Sequence, residues 1–124
     1  MKITRVNPAM RFESTSLSNE VVRADAGFES GPLYSKYVCA NCKEGVVFSK
    51  TDLIEGCTRP ATTLDASIAS QFDAFGASNG IKERGFLDWL CPKCHLGRRI
   101  YLQPWAGGHH GDSGVHIVAL VEQE

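Results

Sequence analysis

Cys39-Ala40-Asn41-Cys42 and Cys91-Pro92-Lys93-Cys94 are two Cys-x-x-Cys elements separated by 48 residues. Two intervening residues let the chain turn tightly enough for both thiolates of a pair to reach one ion at about 2.3 Å, and two such pairs complete a tetrahedron. One pair alone is ambiguous; two pairs point to a single four-thiolate zinc site made of Cys39, Cys42, Cys91 and Cys94. The alternatives are two separate redox Cys-x-x-Cys motifs or disulfides. With all four positions filled by sulfur, the ion has no open position for water or substrate, so the expected zinc is structural and non-catalytic.

A compact ribbon separates its cysteine pairs by about 15 to 20 residues, and here the excess is roughly 30. The residues themselves account for it. Ser49 to Thr63, with Cys57 and Pro60, reads as a loop. Leu64, Ile68, Phe72 and Phe75 then recur at helical spacing and predict one inserted amphipathic helix from about Leu64 to Phe75. Thr63 or Asp65 is its N-cap and Gly76 its stop.

Strands are expected on both sides of each cysteine pair. Tyr34 to Val38 leads into the first, and Val46-Val47-Phe48 leaves it as the second arm of a hairpin. Ile81 to Leu90 approaches the second pair as a strand or irregular segment, and Arg98 to Gln103 leaves it. Pro104 to Gly114 reads as a Gly-His loop and Val115 to Val121 as a last strand, which gives a C-terminal hairpin over 98–122. Nearer the start, Ile3 to Val6 and Asn19 to Arg23 are short β-prone runs between turn formers. The fold class is therefore α+β: one small domain spanning 1–124, with short antiparallel strands, a metal-bearing core at about 37–103 and one inserted helix.

The stretches Cys39-Ala40-Asn41-Cys42-Lys43 and Trp89-Leu90-Cys91-Pro92-Lys93-Cys94-His95-Leu96-Gly97-Arg98-Arg99 resemble the two knuckles of zinc-ribbon proteins. Small bacterial and phage zinc-ribbon proteins are similar in placing an aromatic residue before a Leu-Cys-Pro-x-Cys pair. The resemblance covers Tyr37 to Tyr101, about half the chain. It implies a metal-stabilised fold; zinc ribbons serve transcription, translation, nucleic-acid processing and protein inhibition, so the fold does not select among these roles.

Composition narrows the setting. At 43% hydrophobic and 22% charged residues the chain is ordinary for a globular domain. No apolar stretch approaches the roughly 20 residues of a membrane-spanning helix, and Met1-Lys2-Ile3-Thr4-Arg5 does not lead into the apolar segment of a secretory signal. The expectation is a cytoplasmic protein without a membrane partner, whose five cysteines stay reduced and available to metal.

The net charge of -1 hides an uneven distribution. Lys82, Arg84, Lys93, Arg98 and Arg99 crowd one segment against Glu83 and Asp88, whereas 100–124 holds no lysine or arginine. With Phe86 and Trp89 interleaved, that segment resembles a surface that contacts phosphates and stacks bases; the plainer reading is a solvated face over core aromatics. The same five cations are candidates for contact with a protein partner, Arg98 and Arg99 foremost.

Other chemistry-bearing residues are weaker signals. Cys57 reads as a small, partly buried residue, and His95 as a surface residue of the second knuckle. His109, His110, Asp112 and His116 offer a second metal or a proton-transfer site, yet neighbouring residues on an extended chain point oppositely, so a flexible hairpin loop is the preferred reading. Taken together, the sequence predicts a non-catalytic, zinc-stabilised binding or regulatory module with a protein partner. Direct nucleic-acid binding through 82–99 is the first alternative, and a small metalloenzyme built on the His-rich loop is the second.

Overall fold

The computed structural model describes residues 1–5, 34–39, 41–106 and 113–124. Eight elements follow one another: β1 (Lys2–Arg5), β2 (Tyr34–Val38), β3 (Gly45–Ser49), α1 (Lys50–Thr58), α2 (Ala66–Ser78), β4 (Gly85–Leu90), β5 (Gly97–Ala106) and β6 (Ser113–Glu122). The fold is α+β with every strand pairing antiparallel. Four strands form a sheet in the order β1-β6-β5-β4, and β2 and β3 form a separate hairpin.

Alternation along β5 builds two cores from one strand, because successive side chains leave opposite faces of a sheet. Ile100 and Leu102 join Tyr37, Phe48, Leu53, Trp89, Ile117 and Leu120 beneath the β2–β3 hairpin and α1. Tyr101 instead joins Leu64, Ala69, Phe72, Ala119 and Val121 on the α2 side. A register shift between Tyr101 and Leu102 lets Ala119 and Val118 serve the same core consecutively, as a β-bulge does. Each fully buried aliphatic or aromatic side chain contributes roughly 1.5–3 kcal/mol, so both cores hold the sheet in place.

Two helices, not one, lie between the cysteine pairs. Ser49 to Thr58, expected to be loop, is α1 behind its N-cap. A capping box starts it: the Ser49 hydroxyl accepts the Asp52 N–H at 3.1 Å and the Asp52 carboxylate accepts the Ser49 N–H at 2.9 Å. Where α1 crosses β4, backbones approach closely at two glycines. A Cβ on Gly56 would stand 2.7 Å from Leu102 Cδ1 and 2.9 Å from the Phe86 carbonyl, and one on Gly85 would stand 3.0 Å from Cys57 Cα. The mid-helix glycine that weakens the sequence signal is thus what lets the helix dock.

The second helix is the predicted one, displaced by a few residues toward the C-terminus. Asp65 is its N-cap, accepting the Ile68 N–H at 3.0 Å. Leu64 lies before the first turn, where it is nonetheless buried. Gly76 does not stop the helix, which runs to Ser78 and ends at Asn79 and the left-handed Gly80. Phe72, fully buried, anchors its inner face.

Strand edges also differ from expectation at the C-terminal hairpin. β5 continues through Pro104 to Ala106, and β6 begins at Ser113, so 104–106 and 113–114 are strand where loop was expected. Pro104 is tolerated because β4 pairs only as far as Leu102, leaving that end of β5, among the described residues, as an edge with no donor required. The expected strand at Asn19–Arg23 lies outside the described residues, whereas the first run forms β1 over Lys2–Arg5. Among the described residues no helix is long and apolar enough to cross a membrane.

Candidate metal centre

Each Cys-x-x-Cys element is the turn of a hairpin. The first joins β2 to β3, where Val38 pairs with Gly45; the second joins β4 to β5, where Leu90 pairs with Gly97. Their backbone hydrogen bonds match. Lys43 N–H reaches the Cys39 carbonyl at 2.8 Å and Cys39 N–H reaches the Glu44 carbonyl at 2.9 Å. In the second turn, His95 N–H reaches the Cys91 carbonyl and Cys91 N–H the Leu96 carbonyl, both at 2.9 Å. Lys43 and His95, the residues after the second cysteine, both adopt left-handed backbone, at φ 63° and 61°.

This repetition brings the four sulfurs together from two sheets. All four Sγ atoms lie within 4.8 Å of one another, with Cys39–Cys94 at 3.9 Å and Cys42–Cys91 at 3.3 Å. A tetrahedron with metal–sulfur bonds near 2.3 Å has edges of about 3.8 Å, so the donors fit one tetrahedral ion. Cys39 and Cys91 are buried, whereas Cys42 and Cys94 are half-buried. The predicted ligand residues thus converge, one pair from the small hairpin and one from the large sheet.

The thiols share their protons unequally. Burial pushes the Cys39 thiol up, but N–H donation from the backbone of Cys42 and Asn41 and from the Arg98 guanidinium outweighs it and holds Cys39 at about 6. Cys91 is lowered similarly: burial opposes, and the N–H groups of Cys94 and Lys93 prevail. In Cys42 the Glu44 N–H favours the thiolate, yet burial and the neighbouring sulfurs of Cys91 and Cys39 push it up to about 11. Cys94, where the Leu96 N–H favours the thiolate, is also raised by burial and by its sulfur neighbours.

Arg98 and Arg99 are not on the surface. They are 1% and 2% exposed, and as folded neither presents its cation to a partner. Strand alternation sends them to opposite faces. Arg98 faces the sulfurs: its Nη2 lies 3.6 Å from Cys39 Sγ and 4.0 Å from Cys94 Sγ, its Nε donates to the Tyr37 hydroxyl at 2.8 Å, and its Nη1 donates to the Gln123 carbonyl at 2.8 Å. The Tyr37 hydroxyl in turn donates to Glu122 Oε2 at 2.6 Å. Burial and that carboxylate push the Tyr37 phenol well above its ordinary range.

Arg99 faces α2. It makes a two-pronged pair with buried Asp88, Nε to Oδ1 at 2.7 Å and Nη2 to Oδ2 at 2.9 Å, and reaches Asp73 on the helix at 2.6 Å. Its guanidinium lies over the Phe86 ring, 4.1 Å from the centroid. The five-cation surface therefore reduces to Lys82, Arg84 and Lys93, which are exposed.

Of the remaining candidates, His95 is exposed and Cys57 is half-buried, with its thiol pushed up to about 11 by burial. His109, His110 and Asp112 lie outside the described residues, and His116 belongs to β6, opposite Gln103. The contribution of Arg98 to the centre escaped sequence reasoning. Its signal was the position four residues beyond Cys94 on a strand leaving the knuckle. No protein-family model, curated protein or solved structure matches this chain.

Proposed function

We propose that the chain is a non-catalytic, zinc-stabilised binding module. One observation supports this above the others: four sulfurs, two from each of two sheets, close within 4.8 Å of one another. A four-thiolate set is a soft donor set suited to zinc or to iron, and it leaves an ion no open position for chemistry. Its effect is mechanical. Zinc here ties the β2–β3 hairpin to the four-stranded sheet and keeps the knuckle surfaces in fixed relation.

Protein contact is the preferred use of those surfaces. Val47, on the strand leaving the first knuckle, is 58% exposed, and Leu90, adjacent to the second, is 43% exposed. Apolar side chains held in water beside a rigid metal-bound turn are suited to a protein partner. The nucleic-acid alternative loses two of its five cations to burial, which leaves it less support than the protein reading.

Metal analysis of the purified chain tests the zinc reading. One zinc per chain is expected, lost in Cys39→Ser together with cooperative unfolding; iron in its place, or unchanged folding of the variant, overturns it. Partner capture compared between the native chain and a Val47→Ser/Leu90→Ser variant tests the surface. Retained capture by a folded double variant removes that surface from the proposal.

A further inference from the structure

The four sulfurs are chemically unequal in a way their shared role as ligands does not require. N–H donors to a metal-bound thiolate draw off electron density and lower its nucleophilicity, so the least-donated sulfur is the most reactive. Cys39 receives the N–H groups of Cys42 and Asn41 together with Arg98 Nη2. Cys91 receives those of Cys94 and Lys93, and it is buried. Cys94 receives the Leu96 N–H and faces Arg98 Nη2 at 4.0 Å. Cys42 receives the Glu44 N–H, has no contact with Arg98 among the described residues, and is half-buried where Cys39 and Cys91 are sealed.

We propose that Cys42 is a modification site for peroxides, with Cys91, 3.3 Å from it, as its resolving partner. The inference rests on the zinc reading above. The Cys42 thiolate attacks one peroxide oxygen; the S–O bond forms, the O–O bond breaks, and hydroxide departs, leaving a sulfenic acid. The Cys91 thiolate then attacks the Cys42 sulfur, forming the disulfide and expelling a second hydroxide. Two electrons pass from the two sulfurs to the peroxide. The pair that Arg98 faces, Cys39 and Cys94, stays reduced but cannot hold the ion alone, so zinc leaves and the hairpin is joined to the sheet by a covalent bond instead.

The test uses the full chain carrying Cys57→Ser, which removes the one thiol outside the centre. Zinc content is measured first. The zinc-loaded protein then receives less than one equivalent of hydrogen peroxide, released zinc is followed with a chromophoric chelator, and disulfides are mapped by mass spectrometry. The expected result is a Cys42–Cys91 disulfide several-fold ahead of any other, appearing in step with zinc release. A Cys39–Cys94 disulfide or a bond within one knuckle appearing first overturns this proposal alone. Protein that binds no zinc at the outset overturns the metal reading and this proposal with it.

Discussion

Arg98 Nη2 lies 3.6 Å from the sulfur of Cys39 and 4.0 Å from that of Cys94, so one buried cation faces a ligand from each knuckle. Four thiolates around a divalent ion carry two excess negative charges in a poorly solvated site, where an unpaired charge is expensive. Arg98 offsets part of that excess and is itself held by Tyr37, by the Gln123 carbonyl and by Glu122 Oε2 at 3.6 Å from its Nε. The four-sulfur cluster, β5 and the end of β6 are joined through this side chain.

Replacing Arg98 by methionine keeps much of the stem and deletes the charge. Glu122 and the sulfurs then lack their cation, and breaking a buried pair in this way costs roughly 3–5 kcal/mol. Urea unfolding of the zinc-loaded protein measures it. Arg98→Lys, which keeps the charge and loses the fork, should fall between the two; a loss under about 1 kcal/mol in Arg98→Met would place Arg98 among exposed pairs in energetic terms.

Arg99 supports the opposite face, and its two carboxylates should differ sharply. Asp88 is 0% exposed and grips the guanidinium with both oxygens, whereas Asp73 is 69% exposed. Asp88→Asn is expected to destabilise by roughly 3–5 kcal/mol, and Asp73→Ala by less than about 1 kcal/mol because water screens the contact. Equal losses in the two variants, compared by thermal unfolding, would contradict this division.

Much of this design is legible in the sequence, and the exceptions have identifiable causes. Cys-x-x-Cys spacing encodes local turn geometry, so the four ligands are readable without tertiary information. Helix α2 carries its own 3.6-residue pattern in Ile68, Phe72 and Phe75. Helix α1 does not: Thr51, Ile54 and Gly56 are poor helix formers, and among its described side chains only Leu53 and Gly56 are buried. The Ser49–Asp52 capping box was its one clear local signal. The fate of Arg98 and Arg99 was hidden for a different reason. Adjacent arginines read as a surface, and only pairing with β6 and β4 reveals a central strand that buries both.

The two knuckles also carry a cost that substitution should relieve. Lys43 and His95 sit at φ 63° and 61°, where a side chain costs roughly 1–2 kcal/mol and glycine nothing. Against this, glycine adds freedom to the unfolded chain, worth somewhat less. Lys43→Gly and His95→Gly are each expected to stabilise the zinc-loaded protein by about 0.5–1 kcal/mol, measured by denaturant titration. Both side chains are exposed, so little packing is lost. Destabilisation in both variants would show that the side chains make contributions that outweigh the backbone strain.

Metal uptake should be coupled to pH with a slope set by the thiols. Near neutral pH the metal-free fold favours a thiolate at Cys39, held at about 6, and lowers Cys91 from its ordinary range. Cys42, pushed up to about 11, and Cys94, which is raised, keep their protons. A four-thiolate ion requires all four to be deprotonated, so binding near pH 7.5 releases about two to three protons per zinc, one each from Cys42 and Cys94 and whatever Cys91 still holds. Apparent affinity then rises about a hundredfold to a thousandfold per pH unit in that range. Below about 6, the Cys39 thiolate is protonated as well, so the dependence steepens and zinc is lost as pH falls. Competition against a chromophoric chelator across pH 5.5 to 8 measures the slope. A release of about four protons at neutral pH would mean that the N–H donors do not hold Cys39 as a thiolate in the metal-free fold, whereas a release near zero would mean that all four are already deprotonated there.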